Sequence, residues 1–258
     1  MCAIVRSACA TRTAGRGASR LPCCWVPRFF PIEQHPFVVF EKRITARLTP
    51  ESTLLDAGCG HSAELACRFA SLVKTAWGVD CVAFDAGLDH CGVRLVSGDL
   101  SALPLENESI DVVVARAVME HLPEPLSVYQ EVRRVLRPGG RFLFLTPNAY
   151  HYATLVARAV PNRYHAAIVK RVESRPTHDT FDTFYLSNTA RAVRRLAQQS
   201  QLRTLSVDFA GQFPGYLTFN TMLFLLGTVY EKTVERVPFL WCLRRWLLVE
   251  LERPVSPD

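Results

Sequence analysis

The stretch Leu54-Leu55-Asp56-Ala57-Gly58-Cys59-Gly60-His61-Ser62 runs two leucines into an acid, and the acid into two glycines one residue apart. A buried parallel strand ends in this way when it turns tightly beside a ligand. Glycine permits positive φ, and without a Cβ it lets a ligand lie against bare backbone. Further on, Gly78-Val79-Asp80 places a second acid at the end of a second hydrophobic run. Together the two segments read as a nucleotide-ribose site on an α/β sheet.

The surrounding pattern supports that sheet. Strands are expected at 53–56, 75–80, 93–96, 110–115 and 141–146, with helices at 37–48, 63–72 and 125–136. The run 110–115 is apolar but for Asp111, as for a strand covered on both faces. Pro125 starts its helix where a missing N–H does no harm, and Arg137-Pro138-Gly139-Gly140 is expected to break it. Such alternation implies an α/β fold, a Rossmann-like doubly wound and mostly parallel sheet. Beyond it, 149–185 reads as a partly helical insertion over the binding edge. A helix follows at 187–199, capped at Ser187 or Asn188, then a sixth strand at 202–209. Residues 216–251 are apolar and aromatic with a break near Pro238. They read as two helices, and 247–252 equally as a closing strand. The domain expectation is an extension at 1–32, a catalytic domain at 33–215 and an apolar helical region at 216–258.

Composition narrows the function. The chain has 258 residues, 49% of them hydrophobic and 21% charged, with net charge +6. That is an ordinary globular make-up. Basic residues are not interleaved with aromatics on one face, so a nucleic-acid partner is not expected. The nine cysteines lack CxxC pairs, so no metal is expected and buried free thiols in a reducing compartment are. The first 32 residues hold Arg6, Arg12, Arg16, Arg20 and Arg28 without an acid, which is transit-peptide composition. Cys23, Cys24 and 25–30 do not make a clean amphipathic helix, so a disordered extension is the preferred expectation. The expected location is cytoplasmic or membrane-associated, with an organelle as the alternative. The run 216–230 is too short to span a bilayer comfortably. A helical cover on the core and an interfacial helix pair admitting a lipid-linked acceptor both remain open there.

Gly58-x-Gly60-x-x-Ala63 formally satisfies a dinucleotide fingerprint, with Asp80 where an NAD-ribose acid would sit. Asp56 argues against it, because its charge would face an incoming pyrophosphate. A cationic, amine-bearing ligand suits that acid better, and a third acid, Asp99, follows the third strand. The order and spacing of further pieces then carry a resemblance. These are Gly98-Asp99-Leu100-Ser101-Ala102-Leu103-Pro104-Leu105, Ile110-Asp111-Val112-Val113, Glu120-His121-Leu122-Pro123-Glu124-Pro125 and Glu131-Val132-Arg133-Arg134-Val135-Leu136-Arg137-Pro138-Gly139-Gly140. Across about 50–148 the chain resembles class I S-adenosylmethionine-dependent methyltransferases, specifically the type-11, quinone-biosynthesis-like group. Thr146-Pro147-Asn148, 180–185 and Asn188-Thr189 look like a bacterial subgroup found with surface-polysaccharide or lipid biosynthesis. The family commonly reads Gly-x-Gly-x-Gly, and here Ser62 takes the third place, where it could cap the next helix.

The resemblance implies S-adenosyl-L-methionine as cofactor and methyl transfer to a small or lipid- or glycan-linked acceptor, with oxygen the preferred atom and nitrogen or carbon left open. It implies that the Gly58-Cys59-Gly60 backbone passes the methionine part, Asp56 helps hold the ammonium, and Asp80 accepts the ribose hydroxyls. Asp99 and Leu100 would flank the adenine, and Arg116 would start the loop facing cofactor and substrate. Base candidates are His121, in the matched motif, and His151 beside Tyr150, expected at the cleft mouth. His178 and Asp179 are expected in the insertion as a lid. A non-catalytic S-adenosylmethionine-binding scaffold and an NAD(P)-dependent oxidoreductase are the alternatives.

Overall fold

The computed structural model describes residues 29–85, 91–159, 181–217 and 220–255. Most of the expected extension (1–32), most of the expected insertion (149–185), and His178 with Asp179 lie outside the described residues. Among those residues, one sheet of seven strands has the order β3-β2-β1-β4-β5-β7-β6. The strands are β1 (Thr53–Ala57), β2 (Thr75–Asp80), β3 (Val93–Ser97), β4 (Ile110–Arg116), β5 (Leu136–Pro147), β6 (Arg203–Ala210) and β7 (Trp246–Glu252). The first five pair in parallel. Just past the end of β7, Arg253 donates to the carbonyl of Gly140, and Gly139 near the start of β5 donates to that of Arg253, so β7 returns antiparallel. Helices α1 (Pro36–Thr45), α2 (Glu64–Phe69), α3 (Pro125–Val135), α4 (Tyr152–Ala159), α5 (Ala190–Gln199) and α6 (Thr221–Arg236) complete the regular elements used below.

The chain divides into two compact units. The larger comprises Val39–Pro147, Phe184–Asp208 and Leu247–Asp258. Its core is the set of apolar runs read as strands: Leu54 and Leu55, Val112 to Ala115, and Phe142 to Leu145 are all buried. Each such side chain contributes about 1.5–3 kcal/mol by leaving water. α3 buries Val128, Tyr129, Val132 and Val135, one helical face. Tyr129 packs edge-on against Phe142 and Phe144, at 5.8 and 6.0 Å between centroids.

The smaller unit comprises Met1–Val38, Asn148–Thr183 and Phe209–Trp246. Within it, the amide of buried Asn148 donates to the carbonyls of Cys242 and Arg244, both at 2.7 Å. Asn220 caps α6 by accepting from the N–H of Leu223 at 3.1 Å. Among the described residues, no helix is long and apolar enough to cross a membrane.

Several local expectations change. Arg137 to Gly140 do not separate helix from strand but form a bulge inside β5. The pairing jumps from Ile110↔Leu136 to Val112↔Arg141, and Gly139 takes φ +81°. The cap of α5 is Thr189, accepting from Ala192 at 3.1 Å, because Ser187 and Asn188 are buried in other bonds. Ser187 meets Tyr129 at 2.9 Å, and Asn188 donates to Thr146 at 2.6 Å. The helical region expected at 216–258 is corrected: α6 is its long helix, Pro238–Leu243 is a 3-10 turn, and the last run is the closing strand β7. Its seven residues are all buried, and the short apolar run Trp246 to Val249 does not distinguish a core strand from a core helix. The free-thiol expectation is also corrected. Cys67 and Cys91 are joined in a disulfide, while Cys81 and Cys242 are exposed.

Candidate functional site

The carboxyl ends of β1 and β2 lie side by side, with Asp56 opposite Gly78 and Ala57 opposite Val79. The turn after β1 is tied to β2 by its own backbone. Gly58 and Cys59 both donate to the carbonyl of Val79, at 2.8 and 3.3 Å. Gly60 donates to Oδ2 of Asp80 at 2.7 Å, and Val82 to Oδ1 at 3.2 Å. Asp80 therefore holds the glycine turn as well as ending its strand.

The two glycines serve different ends. Gly58 takes φ +79°, and a Cβ there would lie 2.4 Å from Cγ2 of Val118, in the loop after β4. It is needed for packing. Gly60 takes φ +68°, and a Cβ there would meet nothing within 4 Å. It leaves bare backbone facing open space, which is what close approach of a ligand requires. The side chain of Cys59 turns the other way, its Sγ 2.9 Å from where a Cβ of Gly78 would be. Burial, then Asp56 and Asp80, push that thiol up and keep it neutral. Cys59 thus offers the site its backbone rather than its sulfur.

Asp56 is 1% exposed and accepts from the N–H of Ala66, in the first turn of α2, at 3.1 Å. The residue before that helix, Ala63, has no capping side chain and sits left-handed at φ 43°. Ser62 therefore does not cap α2 as expected; the carboxylate at the end of β1 satisfies one of its free N–H groups instead. Burial pushes the Asp56 carboxyl up to about 7, opposed by Arg116 and the Ala66 N–H and reinforced by Asp80.

The remaining predicted residues separate. Gly98 donates to the carbonyl of Asp80 at 3.0 Å, which brings the end of β3 alongside. Asp99 is exposed, and its Oδ1 accepts from the N–H and hydroxyl of Ser101 at 2.8 and 2.9 Å. Those bonds hold its carboxyl below the usual range. Leu100 is half-buried beside it. Arg116, at the end of β4, turns to the carboxylates of Glu64 at 3.3 Å and Glu41 at 3.7 Å. It bridges α1 and α2 and opposes the rise of the Asp56 pKa.

His121 ends a 3-10 turn, Met119–His121, on the loop whose Val118 packs against Gly58. Its neighbour Glu120 anchors a buried network that sequence reasoning passed over. Glu120 is buried and accepts from the Thr146 hydroxyl at 3.0 Å, and Thr146 in turn accepts from Asn188. The Glu120 carbonyl accepts from Phe184 and Tyr185. Burial raises its carboxyl, opposed first by His121, whose Nε2 is 4.0 Å away. The signal was present: an acid inside the apolar run that opens the Glu-His-Leu motif. Glu120→Ala is expected to lower the unfolding free energy by about 2 kcal/mol by orphaning Thr146. Glu120→Gln keeps an acceptor there and should stay within about 1 kcal/mol of wild type. Urea titrations check both.

His151 is not at a cleft mouth. It belongs to the smaller unit, is 0% exposed, and its Nε2 lies 3.0 Å from Oε1 of Glu231. Its Nδ1 accepts from Ala153 at 3.2 Å, so the proton sits on Nε2 and points at the carboxylate. Both ring nitrogens are used, and burial holds its pKa low. Tyr150 beside it is exposed.

Comparison with known proteins falls on the same residues. The family described as Methyltransferase domain matches residues 55–144. A probable S-adenosylmethionine-dependent methyltransferase of Mycolicibacterium smegmatis is 40% identical over 103 residues, 37% of this chain and 38% of that protein. A ubiquinone biosynthesis O-methyltransferase of Paracidovorax citrulli is 35% identical over 115 residues, 40% of this chain and 47% of that one. The chain thus spans less than half the length of these relatives. Among solved structures, a putative methyltransferase of Bacillus halodurans superposes with TM-score 0.53 at 17% identity, over 84% of this chain and 98% of that one. It shares the fold. Over residues 55–144 the chain is therefore similar to methyltransferase domains, and its sheet has the fold of the Bacillus halodurans protein.

Proposed function

We propose that the chain transfers a methyl group from S-adenosylmethionine to oxygen on a small or lipid-linked acceptor. The observation that carries this reading is the pair Gly60 and Asp80: a left-handed glycine with open space where its Cβ would be, bonded to an acid at the adjoining strand end. The residues fit an amino-acid nucleoside. Asp80 keeps lone pairs for ribose hydroxyls beyond its two backbone bonds. Asp56 offers a buried carboxylate to an ammonium, and Gly60 lets the chain between them pass. Asp99 and Leu100 flank an adenine from the end of β3. The Paracidovorax citrulli relative is named a ubiquinone biosynthesis O-methyltransferase, which supports an oxygen acceptor here.

When bound, the cofactor supplies a methyl activated on a sulfonium. The protein's share is to hold an acceptor in line at about 3–3.5 Å and to take its proton if it carries one. His121 is the base in this reading, on the loop that Val118 packs against the glycine turn. Its Nε2 lies 4.0 Å from Oε1 of the buried Glu120.

The raised Asp56 carboxyl gives a test in pH. With its pKa at about 7 in the folded chain and 3.8 as the ordinary value, the folded state holds the extra proton between those values. Stability therefore falls as pH rises through that window. An ammonium at the site needs the carboxylate charged, so S-adenosylmethionine should bind more tightly at pH 8 than at pH 6, with proton release. Asp56→Asn should bind weakly and lose this slope. Calorimetry in buffers of different ionisation heat reads the protons. A wild-type affinity no more pH-dependent than that of Asp56→Asn would remove the ammonium role.

A further inference from the structure

α6 is built inside out. It buries Phe224, Gly227, Thr228, Glu231 and Val234. On its other side Met222, Leu226 and Val229 are 66, 60 and 65% exposed, with Leu225 also exposed. Residues 222, 225, 226 and 229 share one helical face. An ordinary surface helix turns its apolar stripe to the core and its polar face to water. Here the inward side accommodates a glycine, a threonine whose hydroxyl bonds the Phe224 carbonyl at 2.8 Å, and a glutamate paired with His151. Exposed leucines met singly need no explanation, but a continuous stripe does.

The stripe runs into a cationic groove. Val229, Lys232, Thr233, Arg236 and Val237 line a hollow of about 330 Å³. Lys232 is paired with Glu235 at 2.6 Å, whereas Arg236 makes no ion pair among the described residues. Beyond the groove, Phe239 is 80% exposed and Trp241 is 45% exposed, with the Arg244 guanidinium 4.9 Å from the Trp241 ring. An apolar stripe flanked by cations and an aromatic ring with a polar tip is the make-up of a segment that lies in a membrane interface.

We propose that this face docks on the surface of an anionic phospholipid bilayer, with Met222, Leu226 and Val229 among the acyl chains and Arg236 on a lipid phosphate. A second copy of the chain would bring the same net charge of +6, whereas anionic headgroups complement it. The inference goes beyond the methyl-transfer reading and stands without it.

Flotation of the full chain with vesicles tests it. Binding is expected to vesicles of phosphatidylcholine mixed with phosphatidylglycerol, and weakly or not at all to phosphatidylcholine alone. Leu226→Ser with Val229→Ser should lower the partition coefficient at least about tenfold, and Arg236→Glu about tenfold or more. Both variants replace exposed side chains, and circular dichroism and melting temperature confirm their folding. The proposal is overturned if the folded chain ignores the anionic vesicles, or if the folded variants bind as well as wild type. It is equally overturned if sedimentation shows a dimer that Leu226→Ser with Val229→Ser dissociates, since the stripe then belongs to a second copy.

Discussion

Asp80→Ala is expected to weaken binding of S-adenosylhomocysteine by about 100-fold or more. Hydrogen bonds to a charged group contribute about 1.5–3 kcal/mol each, and the proposed site gives Asp80 two ribose hydroxyls. The side chain also accepts from Gly60 and Val82, so its removal frees the glycine turn at the same time. Asp80→Asn separates these effects. It keeps an acceptor for one backbone N–H but loses the charge, and should fall between wild type and Asp80→Ala. Calorimetry on each variant measures the series, and unchanged affinity in Asp80→Ala would mean that the ribose lies elsewhere.

The second large effect is a contrast between the two glycines. Gly58→Ala forces a Cβ to 2.4 Å from Val118 at a left-handed φ. The conformational cost is about 1–2 kcal/mol and overpacking adds about 1–3 kcal/mol. Its melting temperature should drop by about 6–12 °C. Gly60→Ala carries the first cost alone, because its Cβ would meet no atom within 4 Å. It should melt only about 2–6 °C below wild type. Its cofactor affinity should nevertheless fall at least about tenfold, since the added methyl occupies the space read as the ligand's path. A Gly60→Ala chain with full affinity would show that the open space is merely solvent.

Strand ends were legible because they combine a continuous apolar run with an acid or glycine that cannot continue it. Leu54 to Asp56 and Trp77 to Asp80 show this, and Val112 to Ala115 ends in the same way on the charge of Arg116. The roles of the polar residues at those ends were less so. Asp56 serves as a cap for α2 because Ala63 cannot, and the strain passed over Ser62 to Ala63. That choice depends on how strand and helix meet, which spacing does not state. Arg116 pairs with Glu41 and Glu64 on two helices, contacts that its place at a strand end does not announce. His151 was read as a base because it follows β5. Its partner Glu231 is 80 residues away, a distance at which a sequence offers no pairing. Residues 246–252, equally apolar as helix or strand, were settled only by the place left between β5 and β6.

The central claim is that the turn from Asp56 to Gly60, with Asp80, is built for an amino-acid nucleoside and not for a dinucleotide. Calorimetry of the full chain against S-adenosylhomocysteine and NADH tests it most directly. Saturable binding of S-adenosylhomocysteine, lost in Asp80→Ala, with no heat from NADH, is the predicted result. Tight binding of NADH and none of S-adenosylhomocysteine would contradict it.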